Sequence, residues 1–360
     1  MLAQEGCRLR RNEEGLTAVI EFLAAFTLFM MILTAFYSMT QLEMGSNDPS
    51  LDRLDRSASL GLDRLLSGEG WFVPGNGTAA DIANGTADWH RLDSEELYAG
   101  NVRAGLVSSG VFDFEKMAAL SNITEHQFVS GLGLPAEYSV RLVVSVESSP
   151  DDGRVGEVLF EGGTSRIVAE SSSLASRLVV GDGESLRVVL EVHDGGQHMP
   201  NLQITEVMAR PMNGGPEWFE VYNPDSFATP LIGYSFHIDK TNVETSYLFK
   251  SGLVSGKSVS LFTGDPTTQV VGNATNVVDL GVQGLLGVGM VNGLPDGQGS
   301  LFMKYTPPST SYPGVQQRIF WGGDTGLFMS PGDGIVWDGE GSNSTSWSVT
   351  STPSPGDWSA

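Results

Sequence analysis

The five histidines are the first residues to consider as metal ligands, and their spacing does not favour a metal site. They are His90, His126, His193, His198 and His237. No two of them have the H-x-x-x-H spacing that places a pair of zinc ligands on one face of a helix. His193 and His198 stand closest, beside Asp194, but nothing nearby supplies a third close ligand. The sequence therefore predicts a solvated linker there rather than a metal site.

Two glycine-rich segments carry aspartates that could bind calcium through carboxylate and carbonyl oxygens. They read LPDGQGS and DTGLFMSPGDG, and the candidate ligands are Asp296, Asp324 and Asp333. Neither segment contains a D-x-[DN]-x-[DN]-G loop, so tight turns are the favoured interpretation. No cofactor is predicted, and calcium is the one ion left as a candidate.

Catalytic motifs are absent from the sequence. It has no G-x-S-x-G, no Walker A motif and no G-x-G-x-x-G between a strand and a helix. The single cysteine, Cys7, lies near the N-terminus, so the rest of the chain can form no internal disulfide or thiolate metal site. We therefore expect a protein without enzymatic activity.

The charge of the chain limits its partners. Lys and Arg number 20 against 43 Asp and Glu, a formal net charge of −23. So acidic a surface repels nucleic-acid phosphates, which argues against a DNA- or RNA-binding role. It suits a cell surface in salty water, where repulsion is screened, and it equally suits simple solubility.

Residues 16–39 form the only segment that a lipid bilayer would accept. Their single charge is Glu21, and roughly 20 apolar helical residues span a hydrocarbon core. Arg8, Arg10 and Arg11 precede the segment, and no Lys or Arg follows it until Arg53. This asymmetry predicts a single-pass membrane protein whose C-terminal portion is extracellular.

The leader before this segment resembles that of type IV prepilins. It reads RRNEEG followed by LTAVIEFLAAF. The resemblance implies that residues 1–15 are a leader, that a dedicated peptidase cuts after Gly15, and that Leu16 becomes the mature N-terminus. It also implies an assembly role for Glu21, since a pilin glutamate meets the terminal amine of a neighbouring subunit. That glutamate usually stands fifth after the cut, whereas Glu21 is sixth. The alternative is an uncleaved signal anchor in which Glu21 reaches the cytoplasmic headgroups.

An amphipathic helix is predicted beyond the membrane, completing a stem over residues 16–67. Its apolar positions recur at helical spacing and share one face: Leu51, Leu54, Ala58, Leu62 and Leu65. Charged residues occupy the opposite face. The apolar face would be covered by a globular head.

The head is placed at residues 68–198. Trp71, Phe72 and Trp89 are predicted to be buried, because aromatic side chains contribute the most apolar area. Residues 112–135 indicate two short helices, and alternating apolar residues indicate strands over 137–147 and 185–194. Lys116, Leu120 and the LGLP turn at 132–135 are similar to elements of archaeal pilin-like surface proteins.

Short β-type segments separated by turns fill residues 199–360 and favour a β-sandwich or barrel. In EWFEVYN, Trp218 and Glu220 share one strand face and Phe219 the other, but the pattern does not decide which face is buried. Residues 204–224, a second element at 231–234, SGLVSGKSVSLF and the closing SPGDG…TPSPGDW resemble a lamin-tail domain. The resemblance implies an immunoglobulin-like sandwich used for interaction or anchoring. Members of that family often have an arginine after the PGDG motif, whereas this chain has Asp338 and Glu340 in that region.

Five Asn-x-Ser/Thr sequons are candidates for glycosylation of an extracellular portion: Asn76, Asn84, Asn122, Asn273 and Asn343. They suit a glycosylated surface protein.

These features together predict an α+β protein with a long transmembrane and stem helix, a pilin-like α+β head and an immunoglobulin-like β-sandwich. We expect an archaeal membrane-anchored cell-surface protein, either a pilin-like subunit or an adhesin with an uncleaved anchor. Its expected partners are the membrane, other pilin subunits, and a surface protein or glycan. A surface hydrolase carrying a lamin-tail accessory domain is the alternative.

Overall fold

The computed structural model describes residues 3–44, 49–75, 77–164, 171–194, 200–240, 243–267, 272, 274–281, 285–287, 293–307, 314–339 and 346–358. The chain divides into two compact units, residues 1–53 and 54–360. An apolar N-terminal helix is followed by a mostly β body, in agreement with the predicted α+β class.

The first unit is dominated by one long helix, Ala3–Met44 (α1). Its residues 17–39 are apolar and exposed. Two threonines in this stretch bond back to the helix, Thr27 Oγ1 donating to Leu23 O at 2.6 Å and Thr34 Oγ1 to Met30 O at 2.8 Å. Such bonds give each hydroxyl an acceptor within its own helix.

The second helix, Pro49–Leu66 (α2), has the predicted apolar face. Leu54, Ala58, Leu62 and Leu65 are all buried in the core of the body. Gly61 lies on the same side, and a Cβ built there would stand 2.9 Å from Leu190 Cδ2. The glycine therefore allows the helix to approach the sheet closely.

Residues 70–131 contribute short elements that surround the end of α2. The helices are Ala79–Ala83 (α3), Ser94–Tyr98 (α4), Phe114–Ala118 (α5) and Glu125–Gly131 (α6). The strands are Gly70–Pro74 (β1), Gly100–Ala104 (β2), Val107–Ser108 (β3) and Val111–Phe112 (β4), paired as β1 with β2 and β3 with β4. The helices between 112 and 135 were predicted from sequence.

A four-stranded antiparallel sheet completes this part of the body. Its strands are Tyr138–Ser148 (β5), Val158–Gly163 (β6), Ser171–Gly181 (β7) and Glu184–Asp194 (β8), in the order β6-β5-β8-β7. The predicted alternation is confirmed, since Val140 and Leu142 on β5 and Val188 and Leu190 on β8 are fully buried. These side chains and the apolar face of α2 belong to one core.

Two sequence predictions in this region are wrong. Trp71 is 42% exposed, while its neighbour Phe72 and the nearby Trp89 are buried as expected. Adjacent residues of a strand point to opposite faces, so β1 cannot bury both Trp71 and Phe72 on one side. His193 is not in a solvated linker, because it lies in β8, fully buried, with Nε2 2.9 Å from Thr164 O.

The remaining strands are short and numerous, as the turn-rich sequence predicted. They are Gln203–Met208 (β9), Trp218–Tyr222 (β10), Thr229–Pro230 (β11), Tyr234–Lys240 (β12), Val243–Leu248 (β13), Leu253–Val254 (β14), Val259–Thr263 (β15), Asn276–Asp279 (β16), Gly299–Tyr305 (β17), Gly314–Trp321 (β18), Gly334–Trp337 (β19) and Trp347–Thr350 (β20).

Most of these strands form two sheets. The larger has the order β16-β15-β10-β9-β19-β20, and the smaller has the order β13-β12-β17-β18. Their facing side chains build a second core, in which the Phe236 ring lies 4.7 Å from Phe219 and 5.2 Å from Phe262. Strand β10 is buried on both faces, since Trp218 and Glu220 are also almost inaccessible.

Candidate functional site

The exposed apolar helix is the clearest functional feature of the first unit. Residues Thr17–Met39 have a mean hydropathy of 2.2, and none of that stretch is buried. The helix is long and apolar enough to cross a membrane, a property that fits both a permanent anchor and a signal sequence. Large side chains such as Phe22 and Phe36 are each 70% exposed.

The residues predicted for processing and assembly lie on this helix. The helix continues through Gly15 and Leu16 without a break, and the Glu21 side chain is exposed. Glu21 is a carboxylate on an otherwise apolar stretch, and such a group requires a partner or a headgroup inside a bilayer. Cleavage after Gly15 and subunit assembly through Glu21 stay predictions.

The sequons fall into three classes. Asn84 is exposed at the end of α3. Asn122 is half-buried in a short 3-10 helix. Asn76, Asn273 and Asn343 lie outside the described residues. Asn84 is therefore the best-placed candidate among the described sequons.

The predicted metal ligands are not brought together. Among the described residues, no three His, Cys, Asp or Glu side chains are placed to hold a metal ion. Asp296 and Asp324 are exposed, and Asp333 Oδ2 accepts a hydrogen bond from Ser330 N at 2.8 Å, as expected for a tight turn. His198 lies outside the described residues.

A hydrogen-bonded chain of side chains on the smaller sheet was missed by sequence reasoning. Ser235 Oγ lies 3.0 Å from His237 Nε2, and His237 Nδ1 lies 2.6 Å from Glu244 Oε1. Lys304 Nζ stands 3.5 Å from the same carboxylate oxygen. The hydrogen bond from His237 and the charge of Lys304 hold the pKa of Glu244 below its usual range. Enzymes that use covalent catalysis place a nucleophile, a base and a carboxylate that orients the base in the same order.

Two aromatic rings and two cations lie on the same face of the smaller sheet as this chain of side chains. The Phe302 and Phe320 rings pack edge to face at 5.6 Å, with Lys304 Nζ 5.9 Å from the first ring and Arg318 Cζ 5.2 Å from the second. We call this surface the outer face, defined by Ser235, His237, Glu244, Phe302, Lys304, Arg318 and Phe320. These residues are on four different strands, β12, β13, β17 and β18, so only the register brings them together.

Two buried carboxyl groups lie on the larger sheet. Glu206 on β9 and Glu220 on β10 are 2% and 1% exposed. Burial raises the pKa of Glu206 to about 7, and the neighbouring Glu220 adds to the rise. Burial also raises the pKa of Glu220 to about 7, against the opposing hydrogen bonds from Gly356 N and Thr205. Removing a charged carboxylate from water disfavours its ionised form.

A third buried carboxylate, Glu217, has a different environment. Its Oε2 accepts hydrogen bonds from Gly287 N at 2.8 Å, Gly293 N at 2.9 Å and Leu294 N at 2.6 Å. Backbone N–H groups converging on a carboxylate stabilise its charged form. Glu217 thus anchors the segments around 287 and 293 to the start of β10.

Comparison with models of known protein families and with curated proteins finds no match to this chain.

Proposed function

We propose that this chain is an archaeal membrane-anchored cell-surface protein of the pilin-like type. The apolar part of α1 holds it in the membrane, and the β body is presented outside the cell as an interaction module of the lamin-tail kind. No catalysis is part of this proposal.

The observation that carries the proposal is the exposed apolar stretch Thr17–Met39. Burying a large apolar side chain contributes about 1.5–3 kcal/mol, so a fully exposed stretch of this length is strongly unfavourable in water. A bilayer removes that penalty. The arginines before the stretch, Arg8, Arg10 and Arg11, favour a cytoplasmic N-terminus.

The pilin-like part of the proposal concerns processing and assembly. A cut after Gly15 would place Leu16 at the N-terminus and Glu21 close to the new amine. An adhesin with an uncleaved anchor would keep Met1. Mass spectrometry of the N-terminal peptide from cells distinguishes these two forms directly.

The outer face is the surface we assign to partner recognition. It combines the half-buried rings of Phe302 and Phe320 with Lys304 and Arg318 on a chain whose net charge is −23. Aromatic side chains and arginine contribute most of the binding energy at typical interfaces. A surface protein or a glycan is the expected partner.

The anchoring is tested by membrane sedimentation with a matched pair of variants. Leu28 and Leu60 are both exposed helical leucines, at 62% and 51%, but only Leu28 lies in the apolar stretch. Leu28→Arg should move the chain into the supernatant after an alkaline wash, because a central arginine costs about 2.5–3.5 kcal/mol in a membrane helix. Leu60→Arg should stay in the pellet with the wild type. Equal behaviour of both variants would exclude the proposed anchor.

A surface hydrolase is the second candidate function, and one observation favours it. The Ser235, His237 and Glu244 side chains are connected at 3.0 and 2.6 Å in the order nucleophile, base and carboxylate. Incubation of the full chain with a serine-directed fluorophosphonate tests it. Labelling of Ser235 that is lost in His237→Ala would support hydrolysis, and absence of labelling would leave the interaction role.

A further inference from the structure

The C-terminal segment of the chain covers the two buried carboxyl groups of the larger sheet. We call residues 352–358 the strap. Ser354 N donates a hydrogen bond to Glu206 Oε2 at 3.3 Å, and Gly356 N donates one to Glu220 Oε1. The Trp358 ring stacks on Trp337 at 5.7 Å with an interplanar angle of 14°. Backbone hydrogen bonds and an aromatic contact thus hold the strap against the larger sheet.

The carboxyl pair beneath the strap is incompletely satisfied. Glu206 Oε1 is buried without a hydrogen-bond partner in the described part of the chain. Glu220 Oε2 accepts only from the Thr205 hydroxyl, at 3.3 Å, among the contacts of described residues. A buried polar oxygen without a partner costs about 1–3 kcal/mol, and more when it is charged.

Few charged groups face the pair from the surrounding elements, and those that do are acidic. Tyr222 is the next residue of β10 on the same face as Glu220. In the strand pairing, Glu206 lies opposite Val336 of β19, and Glu220 lies opposite Leu261 of β15. The strap contributes Asp357, whose charge further disfavours ionisation of Glu220. No described Lys, Arg or His forms an ion pair with either glutamate.

We propose that the strap is a pH-dependent latch, closed while the Glu206 and Glu220 pair holds at least one proton and released when both carboxyl groups are ionised. A proton retained by either group avoids two negative charges buried on neighbouring strands. When both are ionised, the hydrogen bonds from Ser354 N and Gly356 N become stronger. The cost of keeping two charges out of water, their mutual repulsion and the repulsion from Asp357 outweigh that gain and favour admitting water beneath the strap. Release would expose the pair and the Trp337 ring.

Hydrogen exchange of the full chain in detergent, from pH 5 to pH 9, tests the latch. The peptide containing the strap is compared with a peptide covering β15, which reports opening of the whole sheet. Intrinsic exchange rises tenfold per pH unit, so the measured rates are divided by the intrinsic rate. We expect the corrected exchange of the strap to rise between pH 6 and pH 9 by at least ten times the factor by which that of β15 rises.

Variants make the test specific. Glu206→Gln keeps the shape of the side chain and removes its charge, so it should abolish the rise. Asp357→Asn, at an exposed position, should move the rise to higher pH, and Asp324→Asn, also exposed, should leave it unchanged. The proposal is overturned if the corrected exchange of the strap is independent of pH in the wild type. It is also overturned if the exchange of the strap and that of β15 rise by the same factor, or if Glu206→Gln and the wild type behave alike.

Discussion

The Phe227 ring lies 5.1 Å from the Phe128 ring, although the two residues belong to different parts of the body. Phe227 follows β10, yet it is buried in the core formed by α2 and the sheet β6-β5-β8-β7. Its loop is fixed by Asn223, whose Nδ2 donates to Phe227 O at 2.9 Å and to Val254 O at 3.0 Å. Thr124 and Ala228 pair beside it. One aromatic side chain from the loop after β10 therefore packs into the core formed by α2 and the sheet β6-β5-β8-β7.

Replacing Phe227 by alanine should destabilise the body. The change leaves a cavity beside Phe128 and Phe160, and a buried Phe→Ala substitution costs about 3–5 kcal/mol. Phe328→Ala is the control. That ring is 64% exposed, so the substitution should change the free energy of unfolding by less than about 0.5 kcal/mol. Denaturant unfolding of the full chain in detergent measures both. Equal effects of the two substitutions would contradict the role assigned to Phe227.

Glu217 should be the carboxylate whose loss is most damaging. Glu217→Ala leaves the N–H groups of Gly287, Gly293 and Leu294 without an acceptor, at a cost of about 3–5 kcal/mol. Glu217→Gln retains one acceptor oxygen and should fall between alanine and the wild type. Glu137→Gln, at an exposed position, should have almost no effect. Thermal unfolding ranks the three variants, and a Glu217→Ala variant as stable as Glu137→Gln would exclude the anchoring role.

Stability should fall as pH rises through the range in which the buried pair ionises. The pKa values of Glu206 and Glu220 are raised from 4.5 to about 7 in the folded protein. Between these values the folded state binds more protons than the unfolded state, so stability decreases with rising pH. The contribution of the protonated pair to the free energy of unfolding is complete below about pH 4.5 and is lost by about pH 8. Because one pKa unit corresponds to about 1.4 kcal/mol, the rise from 4.5 to about 7 corresponds to a loss of about 3.5 kcal/mol if the pair retains one proton.

The difference between wild type and Glu206→Gln isolates this effect from other titrating groups. Urea unfolding at pH 5, 6, 7 and 8 should show the wild type losing stability relative to the variant. A constant difference across that range would mean that the pair does not titrate there.

Local patterns predicted much of the fold. The spacing of Leu54, Ala58, Leu62 and Leu65 identified the buried face of α2, and the alternation of Val140, Leu142 and Val144 identified β5. These predictions succeed because periodicity directly reflects which side of an element is buried. The apolar stretch of α1 was equally clear from composition.

Features that depend on contacts between distant segments were not predictable. Glu206 and Glu220 are buried because the strap, more than 130 residues later, covers them, and no local pattern shows this. The chain from Ser235 to Glu244 depends on the register of β12 with β13. His193 lies at the predicted end of β8, but its burial depends on a contact with Thr164 O, which no local pattern shows. The pilin and lamin-tail resemblances stay predictions based on their motifs.

Labelling of intact cells with a membrane-impermeant maleimide tests the central claim most directly. Cys7 is the single cysteine, so a Cys7→Ser, Ser176→Cys chain carries one thiol at an exposed position of β7. The account predicts that this thiol reacts in intact cells and that the labelled chain sediments with membranes. Labelling only after the cells are permeabilised, or a labelled chain recovered in the soluble fraction, would contradict a membrane-anchored body outside the cell.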